Sequence, residues 1–205
     1  MNGIYYHLET GLPVSEQRLK EIEKDLQIYS EEFKTKRMIS PFTEKLKDIG
    51  MISYGLSSFG YDATCGNKFK IVSGINDKSI IDPKEVNPAV FEDFEGDVCI
   101  IPPHGFALTY TNETFDIPED IMSICMAKST YARCGLVVGV TPLEPGWRGQ
   151  VTIELSNTTD LPIKVYANEG ICQFYFLQGK TSETPYNARG GKYMDQVGIV
   201  LPRIL

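Results

Sequence analysis

From Gly50 onward the chain is a succession of short β-rich runs separated by Gly, Pro, Asn and Asp. The runs are Lys68–Val72, Val98–Ile101, Phe106–Thr111, Ile121–Met126, Leu136–Val140, Val151–Leu155, Ile163–Tyr166 and Ile171–Leu177. Many short strands with turn residues between them predict a mainly β domain, either a sandwich or a barrel. The last stretch, Thr181–Leu205, is rich in Gly and polar residues. It reads as a mobile tail with one final strand at Gly198–Leu201.

The first part of the chain has a different character. Residues 15–37 are strongly charged, with apolar residues at Leu19, Ile22, Leu26, Tyr29 and Phe33. Spacings of three and four place these on one stripe of an amphipathic helix. Pro41 would end that helix at about Ser40. The stripe can cover the chain's own domain or a subunit interface, or it can dock a partner. A second short helix is expected at Pro41–Ile49. The organisation is therefore an N-terminal segment, 1–37, followed by a β domain, 38–205, whose tail is 181–205.

Two small counts exclude several chemistries. There are two histidines, His7 and His104, and five cysteines with no C-x-x-C pair. Zinc ribbons and disulfide scaffolds do not fit that inventory. Neither does a zinc deaminase, which needs H-x-E and P-C-x-x-C. The metal-ligand expectation is none. Unpaired thiols suit a reducing cytoplasm, and no apolar run approaches a membrane span. A net charge of −7 argues against a nucleic-acid strand as ligand. A small polyanion remains compatible, because a few local cations can hold phosphates.

Two segments carry candidate chemistry. In Lys128-Ser129-Thr130-Tyr131-Ala132-Arg133, Ser129 or Thr130 can cap a helical turn over Tyr131–Arg133. Such a turn aims N–H groups outward, Lys128 adds a point charge, and Arg133 adds a planar donor fork. Ser129 and Arg133, four apart, share a face. An ordinary capped turn would look the same. In Arg148–Asn157, Val151, Ile153 and Leu155 face one way and Thr152, Glu154 and Ser156 the other. A cleft on the second face would raise the Glu154 pKa toward that of a useful base. On a solvated sheet Glu154 would be an ordinary surface carboxylate.

These residues resemble the dCTP deaminase family, which shares its fold with the trimeric dUTPases. The resemblance rests on Lys128–Leu136 and on Pro145-Gly146-Trp147 followed by Thr152-Ile153-Glu154. It extends to Ser57–Ala63, Ala167–Phe174, Tyr186, Gly191–Tyr193 and Gln196–Gly198, and covers roughly 38–205. It implies a dUTPase-like distorted β-barrel or jelly-roll with an N-terminal helical extension. It implies hydrolysis of dCTP to dUTP and ammonia without zinc, in the supply of dUMP and dTTP. Glu154 then matches the catalytic glutamate, with Ser129 and Arg133 orienting the site. Lys128, Ser129, Thr130, Tyr131, Ala132, Arg133, Thr152, Ile153, Glu154, Gln173, Tyr186, Lys192 and Gln196 match nucleotide-binding positions. The resemblance further implies Mg²⁺ carried by the triphosphate, a homotrimer with sites between subunits, and a C-terminal lid. The inhibitor dTTP of relatives is a candidate here, with Gly139–Pro142 as a backbone switch. Glu144 departs from the family's Asp before Pro-Gly-Trp, and it is left out of the expected site.

Two other readings stay open from the residues. The chain could also hydrolyse dUTP and release dUMP, or it could be a non-catalytic, trimeric nucleotide-binding module.

Overall fold

The ten-residue strand Arg148–Asn157 alternates outward and buried positions along its whole length. Its inward residues Val151, Ile153 and Leu155 are almost or fully excluded from solvent. That alternation sets the architecture, since one face of a strand must find a core. The computed structural model describes residues 38–44, 50–73 and 80–204, with Gln17, Lys20, Glu21 and Lys24 of the N-terminal segment.

The chain divides into two units, 1–37 and 38–205. The four described residues of the first unit are helical, as the charged amphipathic pattern predicts. The stripe residues Leu19, Ile22, Leu26, Tyr29 and Phe33 lie outside the described residues.

The second unit is mainly β. Its strands are β1 (Ile39–Ser40), β2 (Gly55–Leu56), β3 (Tyr61–Thr64), β4 (Lys68–Val72), β5 (Phe91–Glu95) and β6 (Val98–Ile101). They continue as β7 (Phe106–Asp116), β8 (Ile121–Ala127), β9 (Leu136–Gly139), β10 (Arg148–Asn157), β11 (Ile163–Tyr166) and β12 (Gly170–Gln178). One sheet runs β5-β4-β7-β10-β9, with β1 also paired to β7. A second runs β2-β3-β12-β8, and β6 pairs with β11. All these strand pairs are antiparallel.

The inner faces share one core. Its centre is the contact of Phe115 on β7 with Phe174 on β12, ring centroids 4.5 Å apart. Each such ring contributes on the order of 1.5–3 kcal/mol by leaving water.

Two expectations are corrected. Pro41–Glu44 is not helical, and 45–49 lies outside the described residues. Tertiary contacts hold this segment instead: Phe42 packs on Tyr61, and the Thr43 N–H donates to the Tyr61 hydroxyl at 3.2 Å. Gly198–Leu201 is not a strand. Strand β9 takes the neighbouring edge of β10 only from Glu154 onward. Gln196 pairs in parallel with Gly149 on the open part of that edge. Beyond it the chain docks on β10 side chains and forms no backbone ladder. Gly149 allows the approach: its φ is +148°, and a Cβ there would lie 3.0 Å from Gln196 backbone atoms.

A buried carboxylate on β7 was not anticipated. Glu113 is 3% exposed and accepts hydrogen bonds from the Thr64 N–H at 3.0 Å and the Thr64 hydroxyl at 3.1 Å. Burial outweighs these bonds and pushes its pKa up to about 7. The unfolded chain loses this proton near 4.5, so the native state binds more protons between there and about 7. Stability therefore falls as pH rises through that window. The unfolding midpoint of Glu113→Gln should decline less steeply than that of the parent over the same range. Parallel declines would contradict this.

Candidate functional site

The outward face of β10 forms the floor of a cleft of about 610 Å³. Thr152 and Glu154 point into it from the strand, and Phe106 and Leu108 of β7 line it beside them. The connection from β9 to β10 contributes Val140–Glu144 and Trp147, and the C-terminal strap contributes Tyr186, Lys192, Tyr193 and Gln196.

Glu154 stands between Leu108 on β7 and Gly139 on β9. Neither neighbour offers a charge or a side-chain hydrogen bond. Gly139 lies directly beside the carboxylate: a Cβ there would make ordinary contact with Glu154 Oε2, at 3.5 Å. Desolvation pushes the Glu154 pKa up to about 7, opposed only by its own backbone N–H. Among the described residues no other group donates to this carboxylate. A carboxyl poised near neutrality, in reach of a bound molecule, can both take and return a proton.

The strap crosses this cleft under several ties. Tyr186 N–H donates to the Pro145 carbonyl at 2.8 Å, and Tyr193 N–H donates to the Tyr186 hydroxyl at 3.0 Å. Arg148 Nε donates to Asp195 Oδ1 at 2.5 Å. Glu144, set aside in the sequence, lies at the rim of the cleft and pairs with Arg189 at 3.2 Å. The Gln196 amide donates to the Gln150 carbonyl at 2.7 Å.

The Lys128–Arg133 segment forms a separate group. The helical turn covers Ser129–Ala132, and Lys128, with extended backbone, occupies the cap position without a side-chain bond. Ser129 and Thr130 are therefore inside the turn and not its caps. Ser129, Thr130, Ala132 and Arg133 are exposed. The Arg133 guanidinium donates to the Ser129 backbone carbonyl at 3.2 Å, which ties its donor fork to the turn.

Tyr131 points inward, and its hydroxyl accepts from the Tyr166 N–H at 3.0 Å. Its side chain thus anchors the turn and is not available to a ligand. Lys128 is ion-paired with Asp62 of β3, both side chains mostly buried, which neutralises the point charge expected there. Gln173 lies opposite Asp62 in the β3–β12 pairing, and its amide donates to the Ser57 hydroxyl at 2.9 Å.

Within one chain, then, Thr152, Glu154, Tyr186, Lys192 and Gln196 come together around the cleft. Lys128, Ser129, Thr130 and Arg133 are not among the residues that line it. Ile153 is fully buried, faces the core and is not among the residues that line the cleft. The expected site left out Glu144 and Tyr193, which both line the cleft.

Comparison with known proteins supplies context for this geometry. A family model described as dCTP deaminase-like matches residues 22–179. The dCTP deaminase of Rhodospirillum centenum is 59% identical over 171 residues, covering 83% of this chain and 92% of its own. That of Sulfurovum sp. is 56% identical over 169 residues, covering 82% and 89%. Among solved structures, the 2'-deoxycytidine 5'-triphosphate deaminase from Agrobacterium tumefaciens is similar with a TM-score of 0.53 at 16% identity. That match covers 75% of this chain and 47% of the other, and it reflects a shared fold.

The Lys128–Asp62 pair has a measurable role in stability. Among the described residues Asp62 Oδ1 has no hydrogen-bond partner, and Lys128 is the counter-charge. Lys128→Met should cost about 3 kcal/mol in denaturant unfolding, because it strands a buried carboxylate. A loss below about 1 kcal/mol would show that the pair behaves as an exposed one.

Proposed function

The chain belongs to the dCTP deaminase-like family, and on that premise we propose that it hydrolyses dCTP to dUTP and ammonia. The observation that carries this reading is Glu154, a desolvated carboxylate on a rigid strand at the floor of a cleft, with a pKa near 7. The reaction needs one group that moves protons. Water attacks C4 of cytosine while Glu154 takes a water proton and delivers it to the ring nitrogen. The same carboxyl then takes the remaining hydroxyl proton and passes it to the exocyclic amine. The C4–N bond breaks, ammonia leaves, and C4 keeps the carbonyl of uracil. A pKa near ambient pH serves both halves of that shuttle.

Thr152 lines the cleft where the base would lie, and Ile153 is its buried neighbour on β10. Lys192 and the exposed Arg133 suit phosphate or the polarised water, the former on the strap and the latter on the turn. Ser129 and Arg133 lie outside the Glu154 cleft of their own chain, which supports a homotrimer in which a neighbouring copy completes each site. The metal of this reading is Mg²⁺ entering with the triphosphate. Among the described residues no three His, Cys, Asp or Glu side chains converge on one point. Nucleotide oxygens and water would therefore hold the ion, which neutralises phosphate charge. The inhibitor of this reading is dTTP, with Gly139–Pro142 beside Glu154 as the segment that responds. Free cysteines support a reducing compartment such as the cytoplasm. Among the described residues no helix is long and apolar enough to cross a membrane.

Glu154→Gln should bind dCTP normally and release ammonia about 10³-fold more slowly. Near-parental turnover would remove Glu154 from the chemistry. The parent's product from dCTP and Mg²⁺ should be dUTP. Recovery of dUMP would make the enzyme bifunctional, and binding without turnover would leave a non-catalytic module.

A second experiment addresses the assembly. Arg133→Ala and Glu154→Gln, each inactive alone, should regain about a quarter of parental activity after subunit exchange, since random closed trimers restore some shared sites. No recovery would place both residues in one chain's site.

A further inference from the structure

The strap from Gln196 to Pro202 follows β10 in the same direction, starting from the parallel pairing of Gln196 with Gly149. Beyond that point its backbone N–H groups are received by alternate side chains on the cleft face of the strand. Gly198 N–H donates to Gln150 Oε1 at 2.7 Å, and Val200 N–H donates to Thr152 Oγ1 at 3.1 Å. Both pairs are 48 residues apart in sequence. A two-residue advance on the strap thus matches a two-residue advance on the strand. The next pair in this register is Glu154 and residue 202. Residue 202 is proline, which has no N–H. Pro202 and Glu154 line the same cleft.

We propose that Pro202 is a positioning residue for the deamination: it withholds a hydrogen-bond donor at the one register place where the strap would otherwise cap Glu154. The proposal rests on the reading of Glu154 as the acid–base group. A backbone N–H at this place would favour the ionised carboxylate and occupy a lone pair needed for water or the cytosine amine. Gln150 and Thr152 anchor the strap, while the third acceptor in the row stays free for substrate. The strap can then lie over the cleft and exclude solvent without quenching the group it covers.

The surroundings of Glu154 leave this donor as the variable that matters. Leu108 of β7 and Gly139 of β9, its neighbours in the sheet, carry no charge. The titratable groups that line the cleft are Glu144 from the β9–β10 connection and Tyr186, Lys192 and Tyr193 from the strap. None of them is a cause of the Glu154 shift, which comes from desolvation. Pro202 is itself exposed, so its replacement opens no core.

The test is Pro202→Ala, with Pro202→Ser beside it, in the full chain. The Glu154 carboxyl is titrated by carbon NMR, and the pH dependence of kcat/KM for dCTP is recorded on the same protein. Both variants should lower the Glu154 pKa by about one unit and shift the acid limb of the rate profile equally. The new amide at position 202 should show a proton shift that follows the Glu154 titration, a signature that mere loosening of the strap would not produce. A Glu154 pKa unchanged to within about 0.3 units, or an amide at 202 that ignores that titration, would overturn the register argument. A carboxyl that shifts while the rate profile stays fixed would overturn the catalytic role of Glu154, and with it the role of Pro202 in the reaction.

Discussion

The period-two alternation of β10 is the constraint on which the rest depends. Val151, Ile153 and Leu155 must enter the core, so Thr152 and Glu154 must face away from it. With β7 and β9 on either side, Glu154 has rigid neighbours that bring no charge and no donor. The strap then roofs the same face. Among the described residues this carboxylate gains no partner beyond its own backbone N–H, and desolvation outweighs that bond and raises its pKa. Burial that would be a defect elsewhere here yields a group that is half protonated near neutral pH.

The two buried or shielded carboxylates show how environment separates roles. Glu113 and Glu154 are both pushed up to about 7 by desolvation. Glu113 is enclosed and bonded to Thr64, so its proton bears on stability. Glu154 faces open space large enough for a nucleotide base, so its proton is available to a ligand. The Lys128–Asp62 pair is a third case, in which burial is answered by a counter-charge and the lysine is spent on structure.

What could be read in the sequence follows from how regular each element is. The clean alternation of β10 made it legible, and β7 and β12 were legible as apolar runs, although β7 runs on through polar residues to Asp116. Strand β3, Tyr61-Asp62-Ala63-Thr64, was not, because all four residues are buried and no two-residue period is visible. Strand β5 was hidden by its acidic residues Glu92, Asp93 and Glu95. Glu154 was legible because its strand neighbours fix its face. The inward turn of Tyr131 was not, since a four-residue turn defines no face by itself. The strap looked like a strand because Gly198–Leu201 is apolar. Its partner is a row of side chains, and no local pattern encodes that.

The most direct measurement is a crystal structure of the Glu154→Gln variant with dCTP and Mg²⁺. The expected result places cytosine in the β10 cleft, with C4 and its amine within hydrogen-bond reach of the side chain at 154 and Arg133 of a neighbouring copy alongside. A triphosphate lying over position 154, or a cytosine bound away from β10, would contradict the assignment of Glu154 as the group that moves the protons.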